Sequence, residues 1–220
     1  MRQKFENILK DTLFIIFSIF AIDLCFANNN TVSQPSEINY SEQSLFDKLA
    51  KLKNMHASFN QTILNPQQKL KQQSQGELWV SKPSFFKWQV LSPQKQMLLS
   101  NGKQLWNYDE ELEQITINEV PKSISQAPYL LLLTGDSKTL NQLFTIERLN
   151  DNTYRLTPKV KDQSLIKYIN MTFKGNIPTH MVIETETGQS TNIELLNIST
   201  QLIPQSVFEF TPPQGVDVLG

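Results

Sequence analysis

Between Ala57 and Ile198 the chain is cut repeatedly into short stretches by turn-forming residues, and this punctuation limits the fold more than any other feature. The interruptions are Asn65-Pro66, Pro83, Ser92-Pro93, Asn101-Gly102, Asn150-Asp151-Asn152, Lys174-Gly175-Asn176 and Thr187-Gly188. Gly and Asn supply left-handed backbone, and Pro fixes φ while removing a donor, so such clusters end strands. Asn-Gly between alternating apolar residues is a strong signal for a two-residue hairpin. The runs they bound are His56–Leu64, Ser74–Ser81, Phe85–Leu91, Lys95–Ser100, Gln104–Asp109, Glu113–Ile117, Phe144–Leu149, Thr153–Thr157, Leu165–Phe173, Pro178–Thr185 and Gln189–Ile198. That predicts about eleven strands. Loops this short cannot carry crossovers, so the pairing is expected to be mostly antiparallel. No repeat of 20–50 residues is visible.

Helical patterning occurs in three places. From Ser41, a possible N-cap followed by Glu42, residues Leu45, Leu49 and Leu52 fall on one stripe, with Phe46 and Met55 beside it. This predicts an amphipathic helix of about 14 residues. Pro128-Tyr129-Leu130-Leu131-Leu132-Leu133-Thr134-Gly135 starts with Pro and stops with Gly, as helices do. Its four leucines leave no polar side, so it must be buried or lie over something apolar. Ser137–Phe144 places Leu140, Leu143 and Phe144 together. Three short helices and one long sheet pack most economically as a sheet curled into most of a barrel, with helices stopping its mouth.

The first residues read as an export signal. Arg2, Lys4 and Lys10 precede the apolar run Leu13–Ile22, and Cys25-Phe26-Ala27 puts small residues at the −3 and −1 positions of a cut after Ala27. The run is short for a membrane span, which needs roughly 20 residues. Residues 1–27 are therefore expected to be a cleaved signal peptide, 28–40 a disordered leader and 41–220 one domain. Cys25 is preceded by Asp23-Leu24, a poor context for lipid attachment. It is the single Cys of the chain, so no intrachain disulfide can form.

Several function classes are disfavoured. With 20 Lys+Arg against 21 Asp+Glu, the net charge is −1, which does not suit phosphate neutralisation on nucleic acid. Only 7 Gly are present and no phosphate-cradling motif occurs. Two His and one Cys give no basis for a zinc site. No G-x-S-x-G surrounds a Ser, and Asp109, Glu110 and Glu111 fall on a hairpin turn where charge is ordinarily solvated. Gln67, Gln68, Gln72 and Gln73 read as a polar hairpin tip. No catalytic residue, metal site or cofactor is expected, and the chain is not read as an enzyme.

One strand suggests where an apolar ligand could sit. Phe86, Trp88 and Val90 alternate and share one face, while Phe85, Lys87 and Gln89 share the other. Trp79 and Trp106 lie on neighbouring strands. Such rings are either ordinary core or the wall of an apolar cavity, and composition does not decide between them.

The run Gly76-Glu77-Leu78-Trp79-Val80-Ser81-Lys82-Pro83-Ser84-Phe85-Phe86-Lys87-Trp88 resembles the outer-membrane lipoprotein carrier protein family, LolA. So do His56-Ala57-Ser58-Phe59, Leu99–Tyr108, Glu113-Gln114, Ala127-Pro128 and Phe208–Val216, in order and with matching spacing. The resemblance implies a mainly β, single-domain open barrel of eleven strands with a helical lid over a hydrophobic cavity. It implies a monomeric periplasmic chaperone that receives acylated lipoproteins from an ATP-driven inner-membrane complex and passes them to an outer-membrane receptor. The family's cavity and lid positions fall on Leu49, Phe86, Trp88 and Leu132. Where the family usually has Arg before Pro, this chain has Lys82; that Arg is thought to tie the lid shut through lid backbone. Lys brings a charge but no planar five-donor fork, so closure is expected to be weaker or shared with other groups. The competing reading is a related half-barrel lipid-binding or receptor protein. An acylated receptor would be expected to carry a proper lipobox, which Cys25 lacks.

Overall fold

The structure is a computed structural model that describes residues 40–120, 137–160 and 165–219. The signal peptide expected over residues 1–27, the leader expected over 28–40 except for Tyr40, which opens the first helix, and the leucine segment with Leu132 lie outside the described residues. In chain order come α1 (Tyr40–Lys51), β1 (Asn54–Leu64), β2 (Leu70–Ser81), β3 (Phe85–Ser92), β4 (Gln96–Asn101), β5 (Gln104–Asp109) and β6 (Gln114–Glu119). Then follow α2 (Ser137–Leu143), β7 (Phe144–Arg148), β8 (Thr153–Pro158), β9 (Ile166–Lys174), β10 (Ile177–Thr185), β11 (Ser190–Ser199), a 3₁₀ turn η1 (Gln205–Phe208) and β12 (Asp217–Leu219).

All strands belong to one 12-stranded sheet in the order β12-β6-β5-β4-β3-β2-β1-β11-β10-β9-β8-β7. Two meanders, β1 to β6 and β7 to β11, are joined through the β1–β11 pair, and the edge strands β12 and β7 do not meet. The eleven expected strands are all present. A twelfth, β12, pairs parallel with β6 through Asp217, Val218 and Leu219. Its three residues are all exposed, so no apolar alternation marks it in the sequence.

The inner face is set by period-two alternation. On β1 the buried residues are Met55, Ala57, Phe59, Gln61 and Ile63. Opposite strands repeat the pattern with Leu78 and Val80, Phe86 and Trp88, Ile169, Met171 and Phe173, and Ile193 and Leu195. Except for Gln61 and Ile63, these side chains join Leu45, Phe46, Leu49 and Leu52 of α1 and Leu140 of α2 in a single cluster. One sheet face reaching so many strands through a shared core is the geometry of a half-barrel.

The turns show why the strands stop where they do. The Asn101-Gly102 hairpin forms, shifted by one residue: Asn101 ends β4, and Gly102 and Lys103 make the loop. Asn101 Oδ1 accepts from the backbone N–H of Lys103 and Gln104, and Gly102 takes φ +87° beside Ser84. Helix α1 begins at Tyr40, so Ser41 lies in its first turn and not at the N-cap. Gln67 and Gln68 occupy the β1–β2 turn, whereas Gln72 and Gln73 belong to β2, with Gln72 half-buried.

Candidate functional site

The inner face of β3 carries the residues singled out from the sequence. Phe86 and Leu49 are fully buried, Trp88 is 9% exposed, and Val90 packs against the same cluster. The structure thus brings Leu49, Phe86, Trp88 and Val90 together on one inner apolar surface, with α1 laid over it. Phe59 of β1 stacks on Trp88 of β3 across the intervening strand, with ring centroids 3.9 Å apart and planes 24° apart. That is possible because β2 offers Gly76 at the crossing, the register partner of Phe59. A Cβ at Gly76 would lie 2.6 Å from the Phe59 ring and would collide with the Gln89 carbonyl oxygen. A residue with no side chain is what lets two aromatic rings meet over a strand.

Helix α1 is fastened at several points. Ser44 Oγ and Tyr154 Oη are 2.7 Å apart. Lys48 Nζ donates to the Gly175 carbonyl at 2.5 Å and lies 5.7 Å from the Phe173 ring centroid. At the C-terminal end, Lys82 Nζ donates to the Leu49 carbonyl at 2.6 Å. Leu49 is in the last turn, where the dipole favours a cation; its carbonyl also accepts from the Leu52 N–H at 3.2 Å. The backbone N–H of Lys82 also donates to the Lys53 carbonyl at 2.9 Å. Burial, with the Lys53 ammonium as a smaller cause, lowers the Lys82 pKa to about 8. Lys82 therefore ties the β2–β3 corner to the backbone of α1.

Other polar groups fall into place as structure. Asp109, expected to be solvated, is 9% exposed: its Oδ1 accepts from the N–H of Glu111 and Leu112, and its Oδ2 from Gln96. It caps the β5–β6 turn, as Asp does when its carboxylate reaches backbone two residues on. On the outer face His56 stacks on Trp79 at 4.9 Å, with its Nε2 2.6 Å from Glu77 Oε2, and Lys87 lies over the same indole at 5.0 Å. Trp79 and Trp106 thus do not share the inner surface with Trp88. Trp106 joins Met97, Leu99 and Ile115 in a second, outer cluster. Gln61 on the inner face, buried beside Ser74, was not singled out from sequence, although strict alternation along β1 points it inward. No group of three His, Cys, Asp or Glu that could hold a metal occurs among the described residues. None of their helices is long and apolar enough to cross a membrane.

An open half-barrel whose inner face is apolar, with a helix strapped across it, defines a class of β proteins built around a concave interior. The model of the family "outer membrane lipoprotein carrier protein LolA" matches residues 50–211. An outer-membrane lipoprotein carrier protein of Francisella tularensis subsp. novicida is 33% identical over 96% of this chain and 97% of its own length. One from Serratia proteamaculans is 33% identical over 79% of this chain and 85% of its own. Among solved structures, a conserved protein of Thermus thermophilus superposes with a TM-score of 0.51 at 13% identity, covering 81% of this chain and 98% of that one; this similarity concerns the fold alone. The chain belongs to the LolA family of outer membrane lipoprotein carrier proteins.

Proposed function

We propose that the protein is a periplasmic, non-enzymatic chaperone that binds the acyl chains of lipoproteins on its inner face. It receives them from an ATP-driven complex in the inner membrane and delivers them to a receptor on the outer membrane. The observation that carries this reading is the near full-length similarity to proteins named as lipoprotein carriers. The apolar surface of Leu49, Phe86, Trp88 and Val90 supplies a place for the chains, and Leu132, outside the described residues, is assigned to the lid by the family resemblance.

The energetics suit a carrier without its own energy source. An acyl chain has roughly 15 CH₂ groups at about 0.8 kcal/mol each, so exposing one chain to water costs on the order of 12 kcal/mol. Moving it from bilayer to an apolar protein face replaces one apolar surround with another, and the net cost is small. Lys82 is assigned as a latch that holds α1 against the β2–β3 corner until cargo enters.

The test is release from inner-membrane vesicles that contain the ATP-driven complex and a labelled lipoprotein. With ATP and this protein, lipoprotein should appear in the supernatant in a one-to-one complex. Lipoprotein that stays in the vesicles, under conditions where a known carrier extracts it, would reject the reading.

A further inference from the structure

The inner face, apolar around Phe59 and Trp88, turns polar toward the β1–β2 hairpin, where Gln61, Ser74 and Thr191 are buried. Gln61 is 7% exposed and Ser74, its register partner on β2, is 4% exposed. Gln61 Nε2 donates to Ser74 Oγ at 3.2 Å. Gln61 Oε1 is fully enclosed and has no hydrogen-bond partner among the described residues. Turning the amide over does not help, because Nε2 would then be the orphan. Phe59 and Ile63 flank Gln61 along β1, Ile193 lies opposite on β11, and Thr191, buried one strand step further along β11, makes no hydrogen bond to Gln61 Oε1. Buried polar atoms are nearly always paired, and one left unpaired costs stability. A Gln held with a buried, unused acceptor is therefore a group prepared for a partner that arrives from outside.

The pair's chemistry narrows that partner. Gln61 presents an acceptor. Ser74, already accepting from Gln61, keeps its hydroxyl hydrogen to donate. One acceptor beside one donor matches a secondary amide, which offers an N–H and a C=O. An ester offers only acceptors. The position fits as well, one strand step beyond the Phe59–Trp88 stack on the same inner surface.

We propose that Gln61 and Ser74 form a hydrogen-bonding subsite for the amide that joins a fatty acyl chain to the cargo peptide. The inference rests on the carrier reading: the aromatic and aliphatic surface takes the hydrocarbon, and this pair reads the linkage.

The test uses an N-palmitoyl tetrapeptide and its ester counterpart, in which the palmitoyl amide N–H is replaced by oxygen. The two have equal hydrocarbon. The parent protein should bind the amide about tenfold tighter, the size of one net hydrogen bond. Gln61→Met should bind both ligands alike, at the level of the ester, with its Tm unchanged or raised and its affinity for a plain apolar fluorescent probe intact. Should Gln61→Met not fold, Ser74→Ala carries the test, with a smaller loss of amide preference. A parent without amide preference, or a Gln61→Met protein that keeps it, overturns the subsite while leaving the carrier reading standing. A parent that binds neither lipopeptide nor probe overturns the carrier reading and the subsite with it.

Discussion

Strands β3 to β6 bury residues on both faces, and the two faces are built differently. Inward, Phe86, Trp88, Leu98 and Leu105 join a cluster that draws on both meanders and both described helices. Outward, Met97, Leu99, Trp106 and Ile115 form a small separate cluster. Its cover is the end of the chain. Phe208 of η1 lies 5.4 Å from Phe85, Phe210 lies 5.7 Å from Tyr108, and Val216 packs on the same group. Asp217 N–H then donates to the Glu113 carbonyl, which starts β12 along β6. The outer face is covered by a strap from the chain end, which leaves an open pocket lined by Phe85, Trp106 and Phe208, and reads as stability. The inner face has α1 held partly by polar ties at its rim, Ser44–Tyr154, Lys48–Gly175 and Lys82–Leu49. Polar ties between separate elements can be exchanged one at a time, whereas a packed seam yields as a unit. If the protein has a moving cover, it is therefore on the inside.

The largest expected effect lies where the inner face has no slack. Gly76→Ala sets a methyl group against the Gln89 carbonyl oxygen and the Phe59 ring. Neither can retreat without breaking the β2–β3 ladder or the stack on Trp88. Loss of roughly 4 kcal/mol or more is expected, seen as a collapse of the urea midpoint. An unfolding free energy within about 1 kcal/mol of the parent would show that the ring stack does not order the inner face.

The two faces can next be compared by matched truncations. Phe86→Ala and Leu99→Ala each open a cavity at a fully buried position, with expected losses of about 3–5 and 2–5 kcal/mol. Only Phe86→Ala should also weaken an apolar fluorescent probe, by about tenfold. Equal loss of probe binding from Leu99→Ala would erase the distinction between a binding face and a structural face.

A third substitution separates cover from core. On the proposed lid role of the leucine segment, Leu132→Glu sets a carboxylate against an apolar surface, where an unpaired charge is costly. Acceptance of lipoprotein should fall at least tenfold, with Tm shifted by a few degrees at most. A large fall in Tm with loss of the β spectrum would put Leu132 in the structural core.

These contrasts were unevenly legible in the sequence. Turn chemistry is local, so Asn65-Pro66, Ser92-Pro93 and Thr187-Gly188 marked strand ends closely. Alternation assigned Phe86, Trp88 and Val90 to one face because the period of a strand is two. What could not be read was non-local. β12 has no alternation, and its partner lies about a hundred residues back, in β6. The outer cluster depends on the chain end folding over β4 and β5, which no short window reveals. Asp109 looked solvated because turn carboxylates usually are; its hydrogen bonds to Gln96 and the turn backbone bury it. Lys82 could be placed at a rim from Pro83, but its bond to the Leu49 carbonyl spans 33 positions, which no short window reveals.

Lys82 gives the smallest and most specific test of the comparison. The native state holds its ammonium in a partly desolvated place and lowers its pKa to about 8, against 10.5 for an ordinary lysine. Between these values the unfolded chain binds more protons than the folded one, so stability rises with pH across that window. Below about pH 8 the full cost of holding the charge is present; above about 10.5 it is gone. A tenfold change in proton affinity corresponds to about 1.4 kcal/mol. Part of the side chain remains in water, which screens the effect, so a gain of about 1–2 kcal/mol is expected for the parent relative to Lys82→Leu between pH 7 and 10. The same substitution should change stability little at pH 7, because the bond to the Leu49 carbonyl, worth about 1.5–3 kcal/mol, is offset by the cost of burying the charge. Transfer should respond differently. A latch must be strong enough to hold an empty carrier closed and weak enough to yield, so Lys82→Leu should still accept cargo but pass it to the outer-membrane receptor several-fold more slowly. Lys82→Arg, with more donors for the same carbonyl, should transfer at least as well as the parent. If Lys82→Leu transfers at the parental rate, Lys82 is only the C-terminal cap of α1, and the inner face is fastened like the outer one.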